Sequence, residues 1–586
     1  MMAPMVANLT DDNGDGVIDE EDIPDVVFST FNRDYWGDGI LRAISGADGS
    51  RLWPTATPSY RTNPGGEVAI AELDAASPGP EILVCSAALR SPRTYGYLMM
   101  VSASGELLRD WSGAANRIVC SFSAPAVADM DRDGTPEILV GHQIAHADGT
   151  RVLDLGEAGR GVYSTMADVV GDADLELITG SGVYRLDGTE VWSRAAAAPG
   201  RPAFAGRWPA VADLDLDGQA EIIQVSAGQH AIIALDGATG DTVWGPIDVN
   251  PPELAAVVAA STNGNGGGPV TVANFDDDPN PEIAFAGGFA YVIFEHDGSR
   301  KWYYETQDRS SRSTGSSIFD FEGDGIAEVL YNDELVFRVF SGPGRDGEAE
   351  ILYERCNTSG TLREYPLVVD VDNDDHAEII LMENNYAFSS CSDGSSSGTG
   401  LHAFGHPRNQ WVRTRRIWNQ HSYHVTNINE DATVPISEET NWSTPGLNNF
   451  RQNVQPEGIF DAPDLVPDDL QVSIRRCPTA LEVSLRVVNR GAAGAISGVP
   501  VTFFTVSEGT RTRIGQATTS RSLLPGESEL VELPGGFART SENSADIVEF
   551  VAVINDPDHM PNLSLNECRP ENNSIGPEAG TCPRID

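Results

Sequence analysis

Short apolar runs alternate with polar turns along most of the 586-residue chain, and the order of the runs repeats. PAVAD, WPAVAD, VTVAN and PLVVD each lead into an acidic loop, and EILVG, EIIQV, EIAFAGG, EVLY and EIILM each lead out of one. Two further runs then flank a tip, as in IIALDGATGDTVW, YVIFEHDGSRKW, VYRLDGTEVW, LRAISGADGSRLW and LMMVSASGELLRDW. Asp-Gly and Ser-Gly at such tips are hairpin signals. Trp53, Trp111, Trp192, Trp244 and Trp302 fall at equivalent places, where a large ring can pack on the neighbouring unit. A period of about 50 residues signals a propeller or a solenoid. Each unit reads as four short strands, and long helical periodicity is absent. Eight units are counted between Pro4 and Trp418, with seven still compatible. Four-stranded sheets repeated radially make a β-propeller, which leaves only short, protected edges. The expected fold class is therefore all-β, with a propeller occupying residues 1–418.

The loops carry the chemistry. In DMDRDGTPE, Asp129, Asp131 and Asp133 place a carboxylate at every second position, Gly134 permits a tight turn, and Glu137 closes the loop. Ca²⁺ takes six to eight oxygens at roughly 2.3–2.6 Å, and this spacing supplies them from one short segment. The same frame gives Asp213, Asp215, Asp217 and Glu221; Asn274, Asp276, Asp278 and Glu282; Asp320, Glu322, Asp324 and Glu328; and Asp370, Asp372, Asp374 and Glu378. A weaker copy keeps Asp168, Asp172 and Glu176 but has Val170 at the third position. Another keeps only Glu72, Asp74 and Glu81, with an inserted residue, and is expected to bind nothing. The first copy follows the EF-hand loop pattern, with Asp11, Asn13, Asp15, Asp19 and Asp22 at ligand positions and Gly16 at the turn. Asp in place of the bidentate Glu at its last position predicts weaker binding. One Asp-rich loop alone could be a solvated turn, but a turn does not require alternating carboxylates in six copies.

The PxVADxDxDGxxEI pattern resembles FG-GAP (VCBS-type) repeats, the repeats of the integrin α-chain propeller, over Pro4 to Glu383. The resemblance implies several structural Ca²⁺ ions held between the first two strands of a blade, away from the ligand face. The hairpin Ala234–Trp244 is also similar to the tryptophan-docking motif of eight-bladed quinoprotein dehydrogenases. The adjacent-cysteine pair of those enzymes is missing, so the likeness is read as shared blade packing.

Beyond Trp411 the pattern breaks. Arg413, Arg415, Arg416, His421 and His424 concentrate positive and titratable groups in an otherwise acidic chain. They could form a ligand or metal site. The favoured reading is a connector, residues 419–463, packed on the propeller with its arginines paired to blade carboxylates. From Asp464 onward, LQVSIRRC, LEVSLRVVNRG, VPVTFFTV, SELVEL and IVEFVAVIND alternate apolar and polar positions, which predicts a small β-sandwich over 464–586. VVNRG and NECRPENN resemble the CARDB family of immunoglobulin-like bacterial adhesion modules.

Net charge is −49, from 87 acids against 38 bases, so the surface repels nucleic acid and anionic membranes. Lys301 is the sole lysine. Seven cysteines suggest disulfides and an oxidising compartment. Cys85 with Cys120, Cys356 with Cys391 and Cys477 with Cys568 are the plausible pairs, leaving Cys582 over, although sequence alone does not fix connectivity. The chain opens MMAPMVAN directly on the first strand, so a native leader is expected to be missing from it, and no apolar run is long enough to insert in a membrane. No G-x-S-x-G elbow, phosphate loop or HExxH occurs. His142 with His146, or His402 with His406, could serve as bases in a polysaccharide lyase built on a Ca²⁺-rich propeller. The preferred expectation is a secreted or cell-surface adhesion scaffold for a protein or glycan ligand, and not an enzyme.

Overall fold

The computed structural model describes residues 2–582 except 33, 54–58, 90–93, 121, 157–162, 198–202, 227, 229, 261–265, 277, 324, 345–346, 387–389, 392–397, 457–462, 492, 508, 540–545, 557–568 and 570–571. Its regular secondary structure is nearly all strand. Two compact units are formed: the first from residues 1–319, 326–405 and 414–454, the second from 320–325, 406–413 and 455–586.

In the first unit, eight antiparallel meanders follow one another from Met5 to Gly405. The second to seventh sheets have four strands, whereas the first and eighth have three among the described residues, so four strands in every unit was one too many at each end. In the first sheet Arg51 makes only an isolated bridge to Ile44. The opening strands of consecutive sheets, from Met5–Ala7 through Val68–Ala71, Pro125–Ala128 and onward to Leu367–Val369, touch in sequence. The eighth sheet then meets the first. Asn373 donates its side-chain amide to the Asp22 carbonyl at 3.2 Å. A Cβ on Gly46 would lie 1.9 Å from the Val371 carbonyl oxygen, so only glycine permits this approach. The result is a closed, propeller-like ring.

Tryptophans near the end of a repeat unit link successive sheets. The indole N–H groups of Trp53, Trp192 and Trp244 donate at 2.8 Å to the carbonyls of Ala103, Gly237 and His296, each in the hairpin of the following sheet. Burial of such a ring contributes both apolar area and a directional bond.

The ring's innermost strands would expose unpaired backbone toward the axis, a cost if left unsatisfied. Residues 417–453 supply the partners. Val6 and Trp418 exchange backbone bonds at 3.0 and 2.9 Å, as do Val272 and Phe450 at 3.1 and 2.9 Å. Ile70 donates to the Asn419 carbonyl at 2.9 Å, Val127 to Gln420 Oε1 at 2.8 Å, and Asn453 Nδ2 to the Val368 carbonyl at 3.0 Å. Trp418, Tyr423 and Ile417 are fully buried beside these strands. The connector thus lines the inner edge of the ring.

The second unit contains two sheets, one ordered Leu465–Ser473, Ala480–Asn489, Ser528–Glu532 and the other Thr510–Thr518, Pro500–Ser507, Val548–Ile554, Ser574–Gly580. Leu465, Val483, Leu485, Val501, Phe503 and Phe550 form its own core. Cys85–Cys120 and Cys356–Cys391 are bonded. The third bridge is Cys477–Cys582, not Cys477–Cys568. The strand Ser574–Gly580 returns antiparallel to Val548–Ile554 and brings the following Cys582 to 5.5 Å, Cα to Cα, from Cys477. Cys568 lies outside the described residues. Among those described, no helix is long and apolar enough to cross a membrane.

Candidate metal centres

Every acidic loop in the first unit joins the first and second strands of its sheet, so all lie at one end of the strands. Their wiring recurs. The first acid accepts N–H groups from positions five and six. Asp129 takes Asp133 and Gly134 at 3.1 and 2.8 Å, Asp213 takes Asp217 and Gly218 at 3.0 and 2.9 Å, and Asp370 takes Asp374 and Asp375 at 3.1 and 3.1 Å. Gly134 and Gly218 sit at φ 85° and 84°, the left-handed region that the turn requires. The closing Glu opens the second strand, and its Oε2 accepts the N–H seven residues back: Met130 to Glu137 at 2.7 Å, Leu214 to Glu221 at 2.8 Å, Phe275 to Glu282 at 2.7 Å and Val371 to Glu378 at 3.1 Å. One carboxylate oxygen is thereby fixed; the other is unpartnered in Glu282 and meets His146 Nε2 at 2.8 Å in Glu137.

Four carboxylate groups result in this unit: Asp129, Asp131, Glu137; Asp213, Asp215, Glu221; Asp276, Asp278, Glu282, Glu295; and Asp370, Asp372, Asp374, Glu378. Within each, one ligand atom per residue lies within 4.8 Å of the others. Asp133 and Asp217 stand outside these groups, each accepting the N–H two residues on, from Thr135 and Gln219. Burial, with neighbouring carboxylates adding to it, pushes Glu221 up to about 7, Glu282 to about 8 and Glu378 to about 9. The Oε1 of fully buried Glu282 has no hydrogen-bond partner. Such convergent oxygens fit a bound positive charge, which would relieve their mutual repulsion.

In the first sheet Asp11 caps Gly14, Asp15 and Gly16 N–H groups at 2.6, 3.1 and 2.9 Å. Asn13 and Asp15 accept backbone N–H groups from Asp15 and Val17, and Asp19 accepts from Glu21. Asp22 accepts from Asp12 and Asn13 at 2.8 and 3.1 Å. The closing position is taken by Asp25, which sequence reasoning missed. Asp25 opens the second strand, accepts the Leu9 N–H at 3.0 Å and leaves Oδ1 without a partner, as Glu282 does with Oε1. Its signal was its register at the strand start. In the seventh sheet Asp320 accepts the Gly325 N–H at 2.7 Å. Asp320 and Glu322 belong to the second unit, Glu328 to the first, and Asp324 lies outside the described residues. In the second sheet Glu81 accepts Leu73 and Asp74 N–H groups at 2.9 and 3.0 Å and, among the described residues, joins no carboxylate group.

The connector's basic residues point inward. Arg415 is buried and donates to Glu430, to the Tyr423 hydroxyl at 3.0 Å and to the Val425 and Ile428 carbonyls. Arg416 reaches the eighth loop, 3.7 Å from Asp370 and 3.5 Å from Asp375. His424 pairs with Glu438 at 2.6 Å, and His421 is held neutral by burial and by Arg451 and Arg363. His146 bonds Glu137 at 2.8 Å and His142 lies 3.8 Å from Asp154 in the third sheet, while His402 pairs with Glu383 in the eighth and His406 belongs to the second unit.

The opposite end of the strands is aromatic. Half-buried Phe31, Tyr35, Trp36, Phe122 and Tyr386 come from loops there. Trp36 meets Phe122 edge-on at 4.6 Å, Tyr35 meets Tyr386 at 5.3 Å, and Arg363 lies 5.5 Å from the Phe122 centroid.

No family model matches the chain, and no curated protein does. Among solved structures it is similar to the V. cholerae biofilm matrix protein Bap1, with TM-score 0.61 and 21% identity over 78% of this chain and 96% of that one. It is also similar to the rhamnogalacturonan lyase YesW, with TM-score 0.42 and 17% identity over 66% of this chain and 70% of that one. At these identities the likeness is one of fold, a nearly all-β, propeller-like architecture shared with Bap1.

Proposed function

We propose that the chain is an extracellular, Ca²⁺-stabilised adhesion scaffold, an eight-bladed FG-GAP-type propeller followed by an immunoglobulin-like module, that binds a protein or glycan ligand on the aromatic face. The observation that carries this reading is the division of labour between the two ends of the strands. One end commits its carboxylates to cation-sized clusters. The other presents Tyr35, Trp36 and Phe122 beside Arg363, rings suited to stack on sugar faces or apolar side chains. The bonded cysteines suit an oxidising compartment. Bap1 is a biofilm matrix protein, and a matrix setting is the reading adopted for this chain.

The test is binding of the full chain to immobilised polysaccharides and matrix proteins in millimolar Ca²⁺, with Tyr35→Ala and Trp36→Ala beside the native chain. Retained ligand in the native chain, lost in both variants with unchanged melts, is expected. Binding unaffected by either substitution would move the ligand elsewhere. Release of unsaturated sugar products would make the protein a lyase.

A further inference from the structure

The sixth sheet's loop departs from the shared wiring at three points. Its first position is Asn274, where the third, fifth and eighth sheets have Asp129, Asp213 and Asp370. Its sixth position is Pro279, which has no N–H to hold a first-position carboxylate as Gly134 and Gly218 do. Asn274 instead donates its amide to the Asp278 carbonyl within the loop. Third, a side-chain cation is already present. Lys301, on the strand Arg300–Glu305, is 5% exposed and places Nζ 2.5 Å from Asp276 Oδ2 and 2.7 Å from Glu295 Oε1. Both acids belong to the same carboxylate group, which also receives the unpartnered Oε1 of Glu282.

The fourth sheet shows the same device in another form. Its loop lacks the third-position acid, having Val170, and Arg185 reaches in from the third strand's end to Asp172 at 2.7 Å and Glu176 at 3.4 Å. Where a loop loses a coordinating group, a basic side chain of the same sheet supplies positive charge. In the third and fifth sheets no Lys or Arg ion pair with the grouped acids is found among the described residues.

We infer that the Lys301 ammonium takes the cation position of the sixth loop, so that this blade is braced by a tethered side chain and binds no Ca²⁺. An ammonium is a compact point charge with three donors, and on a four-carbon stem it can replace an ion at a site of three or four carboxylates. Tethering removes the dependence on free metal. The chain's only lysine is thereby assigned a position where arginine's planar fork would not fit the same way. The inference rests on the reading of the other loops as Ca²⁺ sites.

Ca²⁺ bound per full-length chain, measured by equilibrium dialysis and elemental analysis after chelation and refilling, tests it. Asp276→Asn should leave the count unchanged, while Asp215→Asn lowers it by one. Lys301→Met should raise the count by one and make the melt more Ca²⁺-dependent. Loss of one ion in Asp276→Asn overturns the inference even if Lys301→Met fails to fold, as does an unchanged count in a folded Lys301→Met. A native count of zero would instead remove the Ca²⁺ reading itself, and the inference with it.

Discussion

Asp215 is exposed and sits with Asp213 and Glu221 in the fifth loop, where its carboxylate faces the other two. Asp215→Ala should therefore cost on the order of 1–3 kcal/mol at saturating Ca²⁺ and nothing in chelator, where removing a like charge relieves repulsion. Paired melts with and without Ca²⁺ check this, and an equal loss in both conditions would assign Asp215 to packing. Arg415 makes the opposite case, being buried and bonded to Glu430, Tyr423 and two carbonyls. Arg415→Ala should destabilise by roughly 3 kcal/mol or more, because it strands those acceptors, and calcium should not rescue it. At this scale the sequence was informative wherever the clustered carboxylates sit close together along the chain. Asp129, Asp213 and Asp370 were legible from spacing alone. Asp25 was hidden by an EF-hand-like register that pointed to Asp22, and Glu295 and Lys301 were hidden because they reach the sixth loop from its third and fourth strands.

The strands of the ring announced themselves through repeated apolar runs. The inner lining did not. Residues 414–454 contain almost no regular structure, yet Trp418, Asn419, Gln420 and Phe450 hydrogen-bond to four different first strands. Their apolar content signalled packing, but only the ring's unsatisfied inner edges explain where they go. The segment should resist limited proteolysis in the native protein, and cleavage within it that leaves both flanking parts folded would contradict the lining role. In the second unit, Thr510–Thr518 was overlooked because its alternating positions carry Arg and Thr rather than aliphatic residues, and Ser574–Gly580 because Gly576 and Pro577 interrupt any pattern. That last strand is what delivers Cys582 to Cys477. The bridge closes a 105-residue separation, so reducing it should lower the stability of residues 464–586 by roughly 3–5 kcal/mol. Since the core of that segment is its own, it should melt cooperatively when expressed alone under oxidising conditions, with no response to Ca²⁺.

The whole chain carries a net charge of −49, and in its first unit buried acids face one another. Without metal, Glu282 at about 8 and Glu378 at about 9 stand above the ordinary 4.5. A folded-state pKa raised above the unfolded one means the native state binds the proton more tightly. That contribution is full below about pH 4.5 and is lost as pH climbs through 8–9. The metal-free protein should therefore melt progressively lower from pH 6 to pH 9, and saturating Ca²⁺ should remove the part carried by Glu378 while leaving that of Glu282, whose loop holds Lys301. The most direct measurement of the central claim is the thermal melt of the full chain in excess chelator against the same chain in millimolar Ca²⁺, with bound metal counted in the second sample. Each filled site adds about 4 kcal/mol at a thousand times its Kd, so several ions per chain and a large upward shift of the first transition are predicted. A melt unchanged between chelator and Ca²⁺, with one ion or none bound, would contradict the account.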